Sequence, residues 1–372
     1  MNVRHGAGGN VDITLLAVTT VLVGFGLIMV YSASSILAMK TYGDFYYFIK
    51  RQLVWALLGF GALWVLAQYP YPRLRPWAKP VLLACGLCLL AVLFFPMGKT
   101  AGGARRWLAL GPLSFQPAEL LKVAIVVYLA DALARKEGKL ESWTEGFLPP
   151  LLVVAGFAGL LLLQPDLGTA VILLAVSLAL MYAAGVRFTH LLTLLLAALP
   201  VVFYLVFQVD YRRRRLDAFF NPWQEPLGKG FQVIQSFLAL GSGGLWGRGL
   251  GESQQKLFYL PAPHTDFIFS IVGEELGFVG AFGLLLLFGL LIWKCFSIAR
   301  RCPDRFGKLL AGGLALLFGL QAVINMGVTA GLFPTKGTPL PLVSSGGSSL
   351  FFTLVGIGIL LSVSRTLPEE TG

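Results

Sequence analysis

The stretch ITLLAVTTVLVGFGLIMV, Ile13 to Val30, carries no ionisable side chain and is long enough to cross a bilayer as one helix. A hydrocarbon core of about 30 Å takes roughly 20 apolar residues in a helix. Segments of the same kind recur to the end of the 372-residue chain. Reading apolar runs between charged or Gly/Pro-rich breaks gives spans at 12–34, 51–68, 80–96, 118–134, 147–163, 169–184, 190–207, 267–293, 308–331 and 350–364. The expected fold is all-α: a polytopic integral membrane protein of about ten transmembrane helices, one membrane domain over 1–372. Residues 1–11 and 365–372 are tails, and one large loop, 208–266, separates the seventh helix from the eighth. Tyr31-Ser32-Ala33-Ser34 resembles a signal-peptidase site, but the length of the segment and the single Arg4 before it predict an uncleaved first helix.

The composition agrees: 56% hydrophobic and 13% charged residues, with a mean hydropathy of +0.77, exclude a water-soluble domain. A net charge of +11 would point to nucleic acid in a soluble protein. Here no soluble basic domain exists to carry it, so the expected counterparts are membrane lipid headgroups or an anionic substrate, and not nucleic acid. Orientation follows the short loops. Arg73, Arg75 and Lys79, then Arg135, Lys136 and Lys139, then Arg300, Arg301 and Arg305 fall in alternate loops, which are therefore cytoplasmic. Both tails join them, and 208–266 lies outside. Lys and Arg are nearly balanced between the two sides, but long loops are exempt from the rule.

Ionisable groups at membrane depth are costly, so each is a candidate. Glu119 and Lys122 stand three apart at the start of the fourth span, as a structural ion pair or as part of a site. Asp166, after Gln164-Pro165, either caps the next helix or faces a ligand. The run Arg212-Arg213-Arg214-Arg215 is either a collar for headgroups or a receptor for a phosphorylated ligand. His264-Thr265-Asp266 opens the eighth span. An N-cap would account for Thr265 or Asp266, though not for so many polar groups beside an arginine-rich loop. Glu274 lies near the Asp266 face of that helix, and Glu275 points away. Lys336 precedes Ser344-Ser345-Gly346-Gly347-Ser348-Ser349, which makes either an anion nest or a plain turn.

Several chemistries are missing. Gly98-Lys99-Thr100 resembles the end of a phosphate-binding loop, but Leu93 stands where that motif needs glycine. No Asp-x-Asp pair offers a metal-bound nucleotide-sugar site, and three scattered histidines make no zinc site. Ser270, His264 and Asp266 lack the nucleophile elbow of a hydrolase. Cys85 and Cys88 lie within an apolar span, and Cys295 and Cys302 flank a basic turn, so packing is expected of them.

Ordered blocks along nearly the whole chain resemble the SEDS family of bacterial membrane proteins (shape, elongation, division and sporulation). They are Gly103-Ala104-Arg105-Arg106-Trp107-Leu108, Phe115-Gln116-Pro117-Ala118-Glu119, Gln164-Pro165-Asp166-Leu167-Gly168-Thr169, Gly230-Phe231-Gln232, Ser242-Gly243-Gly244, His264-Thr265-Asp266-Phe267-Ile268-Phe269, Glu274-Glu275-Leu276-Gly277 and Pro334-Thr335-Lys336-Gly337. Gly249 to Leu257 and Pro334 to Gly337 look like the division branch. In two places the chain departs: Ala262 stands where the family usually has Glu, and Ser345 begins what is usually Tyr-Gly-Gly.

The resemblance implies a peptidoglycan glycosyltransferase that polymerises lipid II outside the cytoplasmic membrane. For that chemistry Asp266 is the expected catalytic base, and Arg105, Arg106, Glu119, Lys122, Asp166, Arg213, Arg214, Arg215, Lys256, His264, Glu274 and Lys336 are the candidate substrate-binding set. The resemblance also implies a single-pass division transpeptidase, a class B penicillin-binding protein, as partner among other divisome proteins. No cofactor is required by the sequence, although a divalent ion, magnesium or manganese, can bind through a substrate diphosphate. A lipid II transporter is the rival reading, against which stand the lack of an internal repeat and the clustering of charge at one face.

Overall fold

A computed structural model describes residues 11–94, 98–101, 104–110, 113–208, 210–228, 230–257, 260–261 and 263–367. Ten long helices follow the expected spans: α1 (Ile13–Tyr42), α2 (Tyr47–Gln68), α3 (Ala78–Phe94), α4 (Pro117–Arg135), α5 (Leu148–Leu163), α6 (Leu167–Ala184), α7 (Phe188–Phe207), then, beyond two shorter ones, α10 (Ile268–Arg301), α11 (Arg305–Thr329) and α12 (Gly347–Ser364). Among the described residues eight of these segments are long and apolar enough to cross a membrane. The others are α7 and α4. The latter carries Glu119, Lys122, Asp131 and Arg135, and it packs against α3, α6, α11 and α12, which hide most of it from lipid.

The core is built around α4, α11 and α12, whose side chains are the most completely buried. Close approach is purchased with small residues: a Cβ at Gly358 of α12 would lie 2.7 Å from the Leu63 carbonyl of α2. Local chemistry starts the helices. Asp12 caps α1 by accepting from Leu15 N (2.9 Å), and Asp304 caps α11 through Gly307 N (2.9 Å).

Two features depart from the expectation. The 208–266 loop contains two helices, α8 (Asp210–Phe220) and α9 (Phe231–Ser242). The fold is also not purely helical: β1 (Gly98–Ala101), β2 (Ala104–Leu110) and β3 (Leu113–Phe115) form a small antiparallel sheet between α3 and α4. Strands this short give no run of alternating residues long enough to read.

The long α10 is broken at Gly277, which has φ 66° and ψ −164°. The chain after α9 occupies the break. Arg248 N and Gly249 N donate to the carbonyls of Glu274 and Glu275 (both 3.0 Å), while Phe278 N and Val279 N donate to Gly244 and Leu245 (2.9 and 3.1 Å). Backbone groups released from the helix are thus paired within protein, the condition for irregular backbone at membrane depth.

Candidate active site

Asp266 lies just before α10, at the end of the bundle that carries the large loop. It does not cap the helix: Phe267 is the N-cap, without a side-chain hydrogen bond. Among the described residues no side chain or amide donates to its carboxylate. Burial pushes that carboxyl up to about 6, against the pull of Arg215 and Arg106. Gly337 lies alongside, and a Cβ there would stand 3.1 Å from Asp266 Oδ2.

Both arginines are delivered by local structure. The β1–β2 register pairs Lys99 with Trp107 but Thr100 with Arg105, so Arg106 is the extra residue of a bulge. Bulges re-aim side chains, and this one turns Arg106 towards the α5–α6 turn. Its Nε donates to Gln164 O (3.2 Å), Nη2 to Pro165 O, and Nη1 stands 4.0 Å from Asp166 Oδ1. Arg215 of α8 donates from Nη1 to Thr335 O (3.1 Å). Arg213, two residues earlier, falls on another face of the helix and is exposed.

Lys336 completes the group. Its side chain covers Gly168, where a Cβ would meet Lys336 Cε at 3.0 Å. Burial brings its amine down to about 8; Asp166 opposes this and Lys122 adds to it. Asp166 caps α6, accepting from Thr169 N (3.1 Å) and Thr169 Oγ1 (2.9 Å). Glu119 and Lys122 form a buried ion pair at 2.8 Å. Each has a structural partner, and Asp166 also faces Arg106 and Lys336 while Lys122 faces Lys336.

Three expected substrate contacts are engaged elsewhere. Lys256 is spent on a buried pair with Glu275 at 2.9 Å. Glu274 holds the same loop: it accepts from Ser253 Oγ (2.5 Å) and Gln254 N (3.0 Å), with Arg248 at 3.7 Å. His264 is buried, which lowers it to about 4 and leaves it neutral at pH 7, with its ring 4.6 Å from that of Phe48. The side chains of Arg105 and Arg214, and Ala262 altogether, lie outside the described residues. Asn325 was not anticipated, although an amide within an apolar span, like Gln321 one turn earlier, is a readable signal. Its Nδ2 donates to Asp266 O (3.0 Å) and Thr338 O (2.7 Å). Among the described residues no three His, Cys, Asp or Glu gather as metal ligands. An apolar cavity of about 370 Å³ between α9 and α10 is lined without ionisable groups and lies apart from this chemistry.

Fold and site together define a polytopic membrane protein that gathers the carboxylates of Asp266, Asp166 and Glu119 with the cations of Arg106, Arg215, Lys122 and Lys336 at one end of its bundle. Residues 13–369 match the cell cycle protein family of FtsW, RodA and SpoVE, and the chain belongs to that family. It is 46% identical over 356 residues to a probable peptidoglycan glycosyltransferase FtsW of Geobacter sp. (strain M18), covering 96% of this chain and 97% of that one. A solved chain from a peptidoglycan synthase complex superposes with a TM-score of 0.79 at 37% identity, over 95% of this chain and 98% of that one. The rod shape determining protein RodA of Thermus thermophilus gives 0.71 at 34%, over 95% and 97%.

Proposed function

We infer that this chain is a peptidoglycan glycosyltransferase, polymerising lipid II into glycan strands. The observation that carries the reading is the Asp266 carboxylate, with its raised pKa, facing Arg106 and Arg215 beside Lys336. Asp266 takes the proton from the acceptor 4-hydroxyl as that oxygen attacks the donor anomeric carbon. The new glycosidic bond forms with inversion while the bond from anomeric carbon to diphosphate oxygen breaks. Undecaprenyl diphosphate leaves with the electron pair. A carboxyl near 6 is a stronger base than an ordinary carboxylate near 4, and is still ionised at neutral pH. Arg106, Arg215 and Lys336 supply fixed positive charge for the diphosphate, the group on which charge develops.

The chain is an integral membrane protein. In this reading it sits in the bacterial cytoplasmic membrane with Asp266 facing outward, at the division septum, beside a single-pass class B penicillin-binding protein and other divisome proteins. Any magnesium or manganese arrives on the diphosphate rather than on a protein cage.

The reaction needs Asp266 deprotonated and Lys336 protonated. Polymerisation is expected to fall as pH drops below about 6 and again as it rises above about 8, measured as kcat/KM for lipid II across pH 4.5–9.5 in roughly half-unit steps. In Lys336→Arg the alkaline fall should move above the range while the acid one stays. A flat profile contradicts both assignments. Polymer production is separated from transport by supplying fluorescent lipid II in detergent, where translocation has no meaning: a glycan ladder supports the polymerase, and movement of lipid II across vesicles without any ladder supports the transporter.

A further inference from the structure

Three consecutive carbonyls in the segment that carries Asp266 are held from the α11–α12 side. His264 O accepts from the backbone N–H of Ser345 (2.8 Å), Thr265 O from Ser344 Oγ (2.5 Å) and Asp266 O from Asn325 Nδ2 (3.0 Å). The second N–H of Asn325 goes to Thr338 O (2.7 Å), so one amide ties α11 to both loops that meet at the carboxylate. Two acceptors facing the same nitrogen fix which way the amide points. Ser344 Oγ also accepts from Leu340 N (2.9 Å), and Gln52 of α2 braces the turn by donating to Ser344 O (3.2 Å). Asn325 and Ser344 are 1% and 3% exposed. Between them Leu342 sits at φ +65°, in the left-handed region that disfavours a branched side chain. A backbone held there is over-determined by its surroundings.

These bonds belong to no helix or sheet ladder. Their common effect is to fix one stretch of irregular backbone, and its exit carries the Asp266 carboxylate. We propose that Asn325 and Ser344 are positioning residues that hold Asp266 at the depth where an acceptor hydroxyl meets a leaving group bound by Arg106, Arg215 and Lys336. The proposal rests on the polymerase reading above. Ser345 takes part through its backbone N–H, so its departure from the family's tyrosine leaves this clasp intact.

The test uses the full chain with its cognate transpeptidase and labelled lipid II. Asn325→Asp keeps the shape but replaces the donor by a charge facing two carbonyls; Ser344→Ala removes the hydroxyl, and Ser344→Thr keeps it. The first two variants are expected to lose about tenfold to a hundredfold in kcat, with KM for lipid II within about threefold, because misplacing a reacting group by about 1 Å costs that much. Ser344→Thr should recover most of the loss. Deuterium uptake by the backbone around 264–268 should rise in the first two variants; Ser344→Ala should melt close to the native protein, whereas the charge buried by Asn325→Asp lowers its melting temperature as well, so Ser344→Ala carries the turnover comparison. Native turnover in Ser344→Ala, or an equal loss in Ser344→Thr, overturns the proposal. If the native complex makes no polymer, the polymerase reading has failed, and the exchange measurement alone then decides: unchanged uptake in Ser344→Ala overturns the clasp.

Discussion

Asp266→Asn is expected to lower the rate of glycan polymerisation by about 10²–10⁴-fold, the range that general-base catalysis contributes. The change keeps the shape of the side chain and removes its ability to take a proton. It also removes a burden on the fold. Because burial raises the Asp266 carboxyl to about 6, its contribution to stability is present at low pH and lost as pH rises from about 4 through about 6. The asparagine variant should thus be at least as stable as the native protein at neutral pH, and inactive. Thermal melting in detergent beside a turnover assay checks both halves. A variant that is inactive only because it unfolds would not support the role.

Glu275→Ala is expected to be the most damaging single change to stability, at about 3–5 kcal/mol, the cost of stranding one member of a buried ion pair. Glu275 is fully buried and its carboxylate is crowded with donors: Lys256 Nζ at 2.9 Å, and Ser32 Oγ at 2.6 and 2.7 Å from its two oxygens. Lys256 is only 5% exposed along its side chain, so its charge would remain buried against Ser32 Oγ and Gly251 O. The pair also joins α1, α10 and the loop before Asp266, so its loss should loosen the site as well. Replacing both partners at once, Glu275→Leu with Lys256→Met, removes the stranded charge and should restore much of the melting temperature. If the double variant melts as low as Glu275→Ala, charge burial is not the cause.

The helices were legible because the bilayer imposes one long, simple pattern. The span read as 51–68 is Tyr47–Gln68, and that read as 308–331 is Arg305–Thr329. What stayed hidden was short and local. α8 is short and opens on a run of arginines, so it does not read as a span, and the bulge that aims Arg106 depends on a register between Lys99 and Trp107 that no composition reveals. Of the candidate site, the sequence shows the rare ionisable groups that the fold gathers at one end, Asp266, Asp166 and the Glu119–Lys122 pair. Pairing between charges from different elements could not be read from the sequence. Glu275, expected to point away from the Asp266 face, pairs with Lys256 nineteen residues before it. Lys256 is held by that pair in the loop before α10. Asn325 was missed because its signal is an amide rather than a charge, and its importance lies in two carbonyls it reaches across the fold.

The most direct test of the central claim is a gel of glycan products made from labelled lipid II by the purified chain with its cognate transpeptidase, comparing the native protein with folded Asp266→Asn. A ladder from the native protein and none from the variant is the predicted result. Ladders of equal intensity from both would contradict the assignment of Asp266 as the base.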